Sequence, residues 1–357
     1  LHWGLHAWAI YAVIGLGLAF VAYNKGLTLS ISSFLRAAFP RVPVWLVDAI
    51  DVLAITATVC GVAASLGFGA SQINAGLELL FGVPETGLVK AIIIVVVTGL
   101  ATLSVALGLD VGIKRLSEAN MALAVGLALF VLIAGPTVYL LDSFIQNLGY
   151  YAQRFIYLST WTESYTSEDW QSSWTLFYYA WWISWSPFVG MFIARVSRGR
   201  TVREFLVSVL LIPSLACVLW MTVFGGTAIS QVVHDGYMAA VEAALPLQLF
   251  SMLDALPLAG ITSFIAIILV VVFFVTSSDS GSLVIDTIAA GGKVNAPTPQ
   301  RVFWCTFEGL VAIALILGGG LVALQAMAVS TGFPFTIVLL ASCIAVVKGL
   351  MSEPRGN

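Results

Sequence analysis

Nine runs of mostly apolar residues, each long enough to cross a bilayer as a helix, divide this chain, and nothing else in it constrains the fold so strongly. They cover roughly 7–24, 47–80, 88–108, 117–141, 174–195, 204–229, 259–290, 302–324 and 329–348. A spanning helix needs about 20 such residues, because the hydrocarbon core is about 30 Å thick. Inside it every backbone polar group must be satisfied within the segment, which leaves the helix as the form for runs of this length. The second and seventh runs are too long for an upright helix and predict tilt or extension past the bilayer. Charged residues make up only 9% of the 357 and hydrophobic ones 60%, against about 25% and 45–50% in an ordinary soluble domain. Such a chain cannot keep its surface wet, which excludes a soluble enzyme, a nucleic-acid binder and a disordered protein. The net charge is −3, with no basic patch for a polyanion. The predicted class is an all-α polytopic membrane protein, a single transmembrane domain over 1–357.

Charge sets the orientation. With the first run crossing from outside to inside, the inner segments hold Lys25, Arg36, Arg41, Lys114, Arg115, Arg195, Arg198, Arg200, Arg203, Lys293, Arg301, Lys348 and Arg355. The outer side holds Lys90 and Arg154. Cytoplasmic loops carry the excess of Lys and Arg, so the amino end is outside and the carboxyl end cytoplasmic. The outer segment 142–172 opens with Phe144, Ile145, Leu148, Tyr151 and Phe155 at helical spacing and predicts an amphipathic helix along the interface. Cys60, Cys217, Cys305 and Cys343 stand singly in apolar runs, with no disulfide or zinc spacing. His2 and His6, at i and i+4, have no third ligand nearby. Function is therefore to be sought in polar and aromatic clusters within the membrane.

The densest aromatic cluster is the run from Trp174 to Phe188, WTLFYYAWWISWSPF. On a helix Trp174, Phe177, Trp181, Trp185 and Phe188 form one stripe, with Trp182 about 100° to one side of it; Pro187 predicts a kink. An interfacial belt accounts for Trp174 to Tyr179, but Trp181, Trp182 and Trp185 lie two to three turns deeper. A second group opens the chain, with Trp3, Trp8 and Tyr11. Together the two groups form an aromatic box, which suits a quaternary ammonium: such a cation has no N–H for a carboxylate, and ring faces hold its diffuse charge. Asp48, Asp51, Asp279, Asp286 and Glu308 fall toward the inner half by span position, which tilts the reading toward a zwitterion.

The seventh run contains Thr276-Ser277-Ser278-Asp279-Ser280-Gly281-Ser282. Hydroxyls and freed carbonyls at a helix irregularity form an oxygen-rich site for a small hard cation; a helix end reaching water is the alternative. The second run carries Gly61, Gly67, Gly69 and several Ala and Ser, which predict close helix packing, with Thr58 a candidate ion ligand.

Four stretches carry a resemblance: Trp174–Glu204 (WTLFYYAWWISWSPFVGMFIARVSRGRTVRE), Phe273–Ser282 (FFVTSSDSGS), His2–Gly15 (HWGLHAWAIYAVIG) and Ala57–Gly76 (ATVCGVAASLGFGASQINAG). In them the chain resembles the betaine/carnitine/choline transporter family, close to bacterial glycine betaine symporters and choline transporters. The resemblance implies twelve spans built on two inverted five-helix repeats, the fold of sodium-coupled amino-acid transporters, with the nine runs here as the fourth to twelfth. A partial first repeat would occupy 1–141, an outer helix and loop 142–172, and a second repeat 173–348. The abrupt start at Leu1 predicts amino-terminal spans missing from the chain. The resemblance also implies a substrate box of Trp3, Trp8, Tyr11 and Trp182, with Trp181, Trp185 and Phe188 lining the pathway. It implies one sodium site at Phe273 (carbonyl), Thr276 and Ser277, and a second at Thr58 and Phe188. Val62 stands where sodium-coupled betaine carriers of the family have another threonine. A homotrimer in the bacterial inner membrane is implied likewise.

The function these readings predict is sodium-coupled import of a trimethylammonium osmolyte, glycine betaine first, by alternating access, with no cofactor beyond the coupling ion. A proton-coupled choline carrier is the alternative, favoured by Val62. A membrane-embedded enzyme lacks a catalytic constellation, and a quaternary-ammonium sensor differs from a carrier by not accumulating its ligand.

Overall fold

The computed structural model describes residues 1–107, 110–166, 168–293 and 297–353; Arg355 lies outside them. Among these residues every regular element is helical. The helices are α1 (Leu5–Ala19), α2 (Ile31–Ala38), α3 (Val44–Phe81), α4 (Gly87–Leu107), α5 (Asp110–Ala134), α6 (Thr137–Thr160), α7 (Phe177–Val196), α8 (Val202–Asp235), α9 (Ala239–Glu242), α10 (Gln248–Asp254), α11 (Ala259–Ala289) and α12 (Thr298–Met351). Two π-helical turns, Phe20–Asn24 and Gln171–Leu176, continue α1 and lead into α7. Seven helices among the described residues are long and apolar enough to cross a membrane, and this is a multi-pass membrane protein. The indoles, phenols and hydroxyls of α7 leave it short of that standard despite its 20 residues.

Several predicted boundaries change. The run at 117–141 stops at Ala134, where Gly135-Pro136 turns the chain, and α6 starts at Thr137, five residues before the predicted outer helix. The runs 302–324 and 329–348 have no loop between them: α12 is 54 residues long, about 81 Å at 1.5 Å per residue, and its only non-helical residue is Gly320 at φ 62°, ψ −145°. That backbone is open to glycine alone, and it divides α12 into segments 298–319 and 321–351. Pro187 stays inside α7, which is one helix from Phe177 to Val196. The polar run 276–282 likewise leaves α11 unbroken. Thr276 Oγ1 donates back to the Val272 and Phe273 carbonyls at 3.0 Å and Ser282 Oγ to the Asp279 carbonyl at 2.9 Å, while Ser278 Oγ donates across to Glu308 Oε2 at 3.1 Å. The carbonyls expected to be free are therefore occupied.

Helix α3 runs through the centre, and its small residues set its distance from its neighbours. A Cβ built on Gly69 would stand 1.9 Å from the Phe274 ring, one on Gly67 2.3 Å from Leu324, and one on Gly61 2.6 Å from the Trp185 indole. Helices α7 and α12 approach as closely: Ser184 Oγ donates across to the Ala328 carbonyl at 3.1 Å. One end of the bundle gathers cations. Arg198 lies over the Tyr23 ring at 5.8 Å, Lys348 over Phe39 at 4.7 Å, and Lys25 pairs with Glu353. The other end gathers rings and hydroxyls, with His2 bonded to Thr175, and His6 to Ser159 and Tyr151.

Candidate functional site

Trp182 is the hub of the ring cluster. It lies on α7, 6% exposed, and touches three rings contributed by the start of the chain: Tyr11 at 4.7 Å, Trp3 at 5.2 Å and Trp8 at 5.7 Å between centroids. Trp8 and Tyr11 meet edge to face at 5.5 Å. Edge-to-face and tilted pairs are the favoured aromatic geometries. The parallel packing of α1 on α7 puts them together. Trp8 and Tyr11 are three residues apart on α1, while Trp3 precedes Gly4 and reaches the same spot from outside the helix. Gly4 is needed there, since a Cβ would stand 2.7 Å from the Tyr151 hydroxyl oxygen. That hydroxyl accepts from the Leu5 backbone N–H at 3.0 Å and so fixes the start of α1 against α6.

The outer side of the cluster is closed by residues the sequence reading did not select. Tyr178, one turn before Trp182, meets Trp3 at 5.9 Å and stacks on His2 at 5.1 Å; His2 also stacks on Trp170 at 5.3 Å. The 174–178–182 spacing on one helix face was the available signal. Burial pushes the pKa of the His2 imidazole down, which favours its neutral form. His2 pairs with Thr175 and His6 with Ser159, and among the described residues no group of three metal ligands forms.

The remaining predicted residues divide. Trp181 turns away from the Trp182 cluster and stacks on Phe177 at 5.3 Å and Phe68 at 5.6 Å, within the core formed with α3 and α4. Trp185 lies next to the cluster and meets Phe188 at 5.3 Å. The Nε1–H groups of Trp181 and Trp185 are buried without a partner. Thr58 is fully buried, its hydroxyl donating to the Ala54 carbonyl at 2.8 Å; Ala54 shares a core with Phe188. Thr276 and Ser277 are half-buried on α11, and the Phe273 ring is 52% exposed. The ion candidates therefore lie on α3 and α11, outside the ring contacts of the Trp182 cluster. A neutral cluster of rings with no carboxylate in it attracts a cation through ring quadrupoles and offers no covalent chemistry.

Comparison with known proteins agrees with that character. The profile described as BCCT, betaine/carnitine/choline family transporter, matches residues 1–355. A glycine betaine/proline/choline transporter of Vibrio parahaemolyticus is 62% identical over 357 residues, 99% of this chain and 64% of that protein. Glycine betaine transporter 1 of the same organism is 51% identical, covering 99% of this chain and 68% of the relative. The glycine betaine transporter of Acinetobacter baylyi is 45% identical, with 98% and 53% covered. The chain thus spans between about half and two thirds of the length of these relatives, in register with them from end to end, and it belongs to the betaine/carnitine/choline transporter family.

Proposed function

We propose that this chain is the larger part of a secondary transporter that imports a quaternary-ammonium osmolyte, glycine betaine first among them, with the methylated head among Trp3, Trp8, Tyr11 and Trp182. The observation that carries this reading is the convergence of three rings on Trp182 within 4.7 to 5.7 Å. A cation held by ring faces sits within about 6 Å of each centroid and gains up to about 2 kcal/mol per ring when desolvated. The rings now touch one another, so they must part to admit it. Trp3, 36% exposed, is the outermost of the four and stands at the mouth. Trp185 and Phe188 continue the path inward, and the unpartnered N–H of Trp185 suits a substrate with acceptor oxygens, which favours a carboxylate-bearing betaine over choline. The names of the relatives above point to the same substrate class.

Sodium is the proposed coupling ion, held by the Phe273 carbonyl, Thr276 and Ser277; the Thr276 hydroxyl would turn from its present carbonyl partners to the ion. Thr58 and Phe188 mark the second ion position. The assembly in the bacterial inner membrane is proposed as a homotrimer. The test is uptake of radiolabelled glycine betaine by the full-length protein in proteoliposomes, with a sodium gradient and with a proton gradient alone, and with excess choline as competitor. Uptake that needs sodium, resists choline and loses its sodium dependence in a Thr276→Ala/Ser277→Ala double variant is the expected result. Proton-driven uptake blocked by choline would instead establish the choline carrier.

A further inference from the structure

Glu308, one of the acids the sequence reading placed toward the inner half, is buried within the first segment of α12. It lies ten residues into α12, about 15 Å along the axis, halfway through the segment that ends at Gly320. It is 0% exposed. Ser278 Oγ on α11 donates to its Oε2 at 3.1 Å, while Oε1 is buried with no partner. Oε1 faces Gly281 on α11, where a built Cβ would stand 3.5 Å from it and 3.1 Å from Val62 Cγ2 on α3. The carboxyl therefore sits where α3, α11 and α12 meet, beside the position at which Val62 supplies methyl groups and no hydroxyl.

The groups around it are few. From α11 come Ser278 and Asp279, the latter close enough for its charge to act on Glu308. From α3 comes Val62. From α4, Thr98 stands against the neighbouring Gly309, and Thr102 donates to Cys305 Sγ at 3.4 Å. Cys305, on α12 itself, lies 3.6 Å from Ser278 Oγ. No Lys, Arg or His among the described residues forms an ion pair with Glu308. A bare carboxylate buried in a membrane core without a base is prohibitive and neutralises instead. With Ser278 donating to Oε2 and Oε1 left without a partner, a proton on Oε1 neutralises the group.

We propose that Glu308 is a proton-carrying group of the transport cycle, protonated in the packed arrangement seen here and discharged to the cytosolic side when α11 and α12 part from α3. A proton from outside water bonds to Oε1 of the carboxylate, and the same O–H bond later breaks to inside water; no other bond changes. The inference rests on the transport reading above and adds a second coupling particle at the position where Val62 replaces a hydroxyl.

The experiment uses the full-length protein in proteoliposomes with the membrane potential clamped at zero and a pH dye trapped inside. Three readouts are taken: exchange of labelled for unlabelled glycine betaine, accumulation driven by an inward proton gradient at equal sodium, and acidification of the lumen on adding betaine. Wild type is expected to exchange, to acidify the lumen, and to accumulate betaine roughly tenfold per pH unit for one proton carried. Glu308→Gln holds the group in its neutral form, so exchange is expected to persist while accumulation and acidification vanish. Glu308→Asp is expected to restore both, with a shifted pH midpoint. Betaine flux in wild type without lumen acidification overturns the proposal, as does gradient-driven accumulation in Glu308→Gln. If the Gln variant does not fold, an unshifted pH midpoint in Glu308→Asp overturns it equally. Absence of exchange in wild type refutes the transport reading itself, a result separate from either.

Discussion

A single indole decides what the ring cluster can bind. Trp182 touches Trp3, Trp8 and Tyr11, whereas Trp181, its neighbour in sequence, stacks on Phe68 and Phe177 about 100° around the helix. The pair gives a sharp prediction. Trp182→Leu removes a desolvated ring face worth up to about 2 kcal/mol, which is roughly 30-fold in affinity for glycine betaine at 1.4 kcal/mol per tenfold. Trp181→Leu empties a packed site between α3, α4 and α7, so its effect belongs in stability, a cost of about 2–4 kcal/mol with affinity little changed. Betaine titrations by tryptophan fluorescence beside thermal melts separate the two; equal losses of affinity would remove the distinction between box and core. The i, i+3 placement of Trp8 and Tyr11 was legible in the sequence, because helix spacing fixes it. That Trp182 and not Trp181 meets them came only from the resemblance, since which face α7 turns to α1 is decided by the whole bundle. Tyr178 was read as interfacial belt and lies in the cluster, and the helix that carries Glu308 starts at Thr298, four residues before the apolar run does.

At the level of helices, most runs were legible to within a few residues, since length and hydropathy alone set them. The failures share a cause: local backbone events that hydropathy does not encode. Gly320 breaks α12 without any polar linker, Gly135-Pro136 ends α5 inside an apolar run, and in 276–282 Thr276 and Ser282 bond back within α11 while Ser278 reaches Glu308 on α12, so a polar stretch passes as regular helix. Close approach is the other feature that composition announces without placing. Gly332, in the second half of α12, is the tightest case against backbone: a Cβ there would stand 2.4 Å from the Ala180 carbonyl oxygen and 3.0 Å from its carbon. Backbone of a packed helix cannot step aside as a side chain can, so Gly332→Ala is expected to force α12 from α7 and to cost about 1–3 kcal/mol. Gly225 on α8 has nothing within 4 Å of a built Cβ, and Gly225→Ala is expected to be neutral or to stabilise by about 0.5–1 kcal/mol, the helix-interior preference for Ala. Thermal melts of the two purified variants in detergent check this; a Gly332→Ala melting temperature equal to wild type would show that α7 and α12 yield.

Across the whole molecule, the two ends differ in chemistry, and that difference predicts its orientation in the membrane. Tyr23, Lys25, Phe39, Arg198, Lys348 and Glu353 meet at one end through an ion pair and cation–π contacts. His2, Tyr151, Ser159, Trp170 and Thr175 meet at the other, with no Lys or Arg in those contacts. The positive-inside bias predicts that the cationic end faces the cytoplasm and the Trp3 end of the ring cluster the outside. The sequence supplied the sign of the bias and the fold shows that cations distant in the chain share one end. Orientation is checked by single cysteines placed in a full-length protein whose Cys60, Cys217, Cys305 and Cys343 are replaced. Ser164→Cys, exposed between α6 and α7, is expected to react with a membrane-impermeant maleimide added to intact cells. Gly199→Cys, in the basic turn between α7 and α8, is expected to react only after permeabilisation; because Gly199 has φ 80°, Ser197→Cys serves as the unstrained second position. The reverse labelling pattern would put Trp3 on the cytoplasmic side, and the ring cluster would then open toward the inside, making it a release site and not the point of capture.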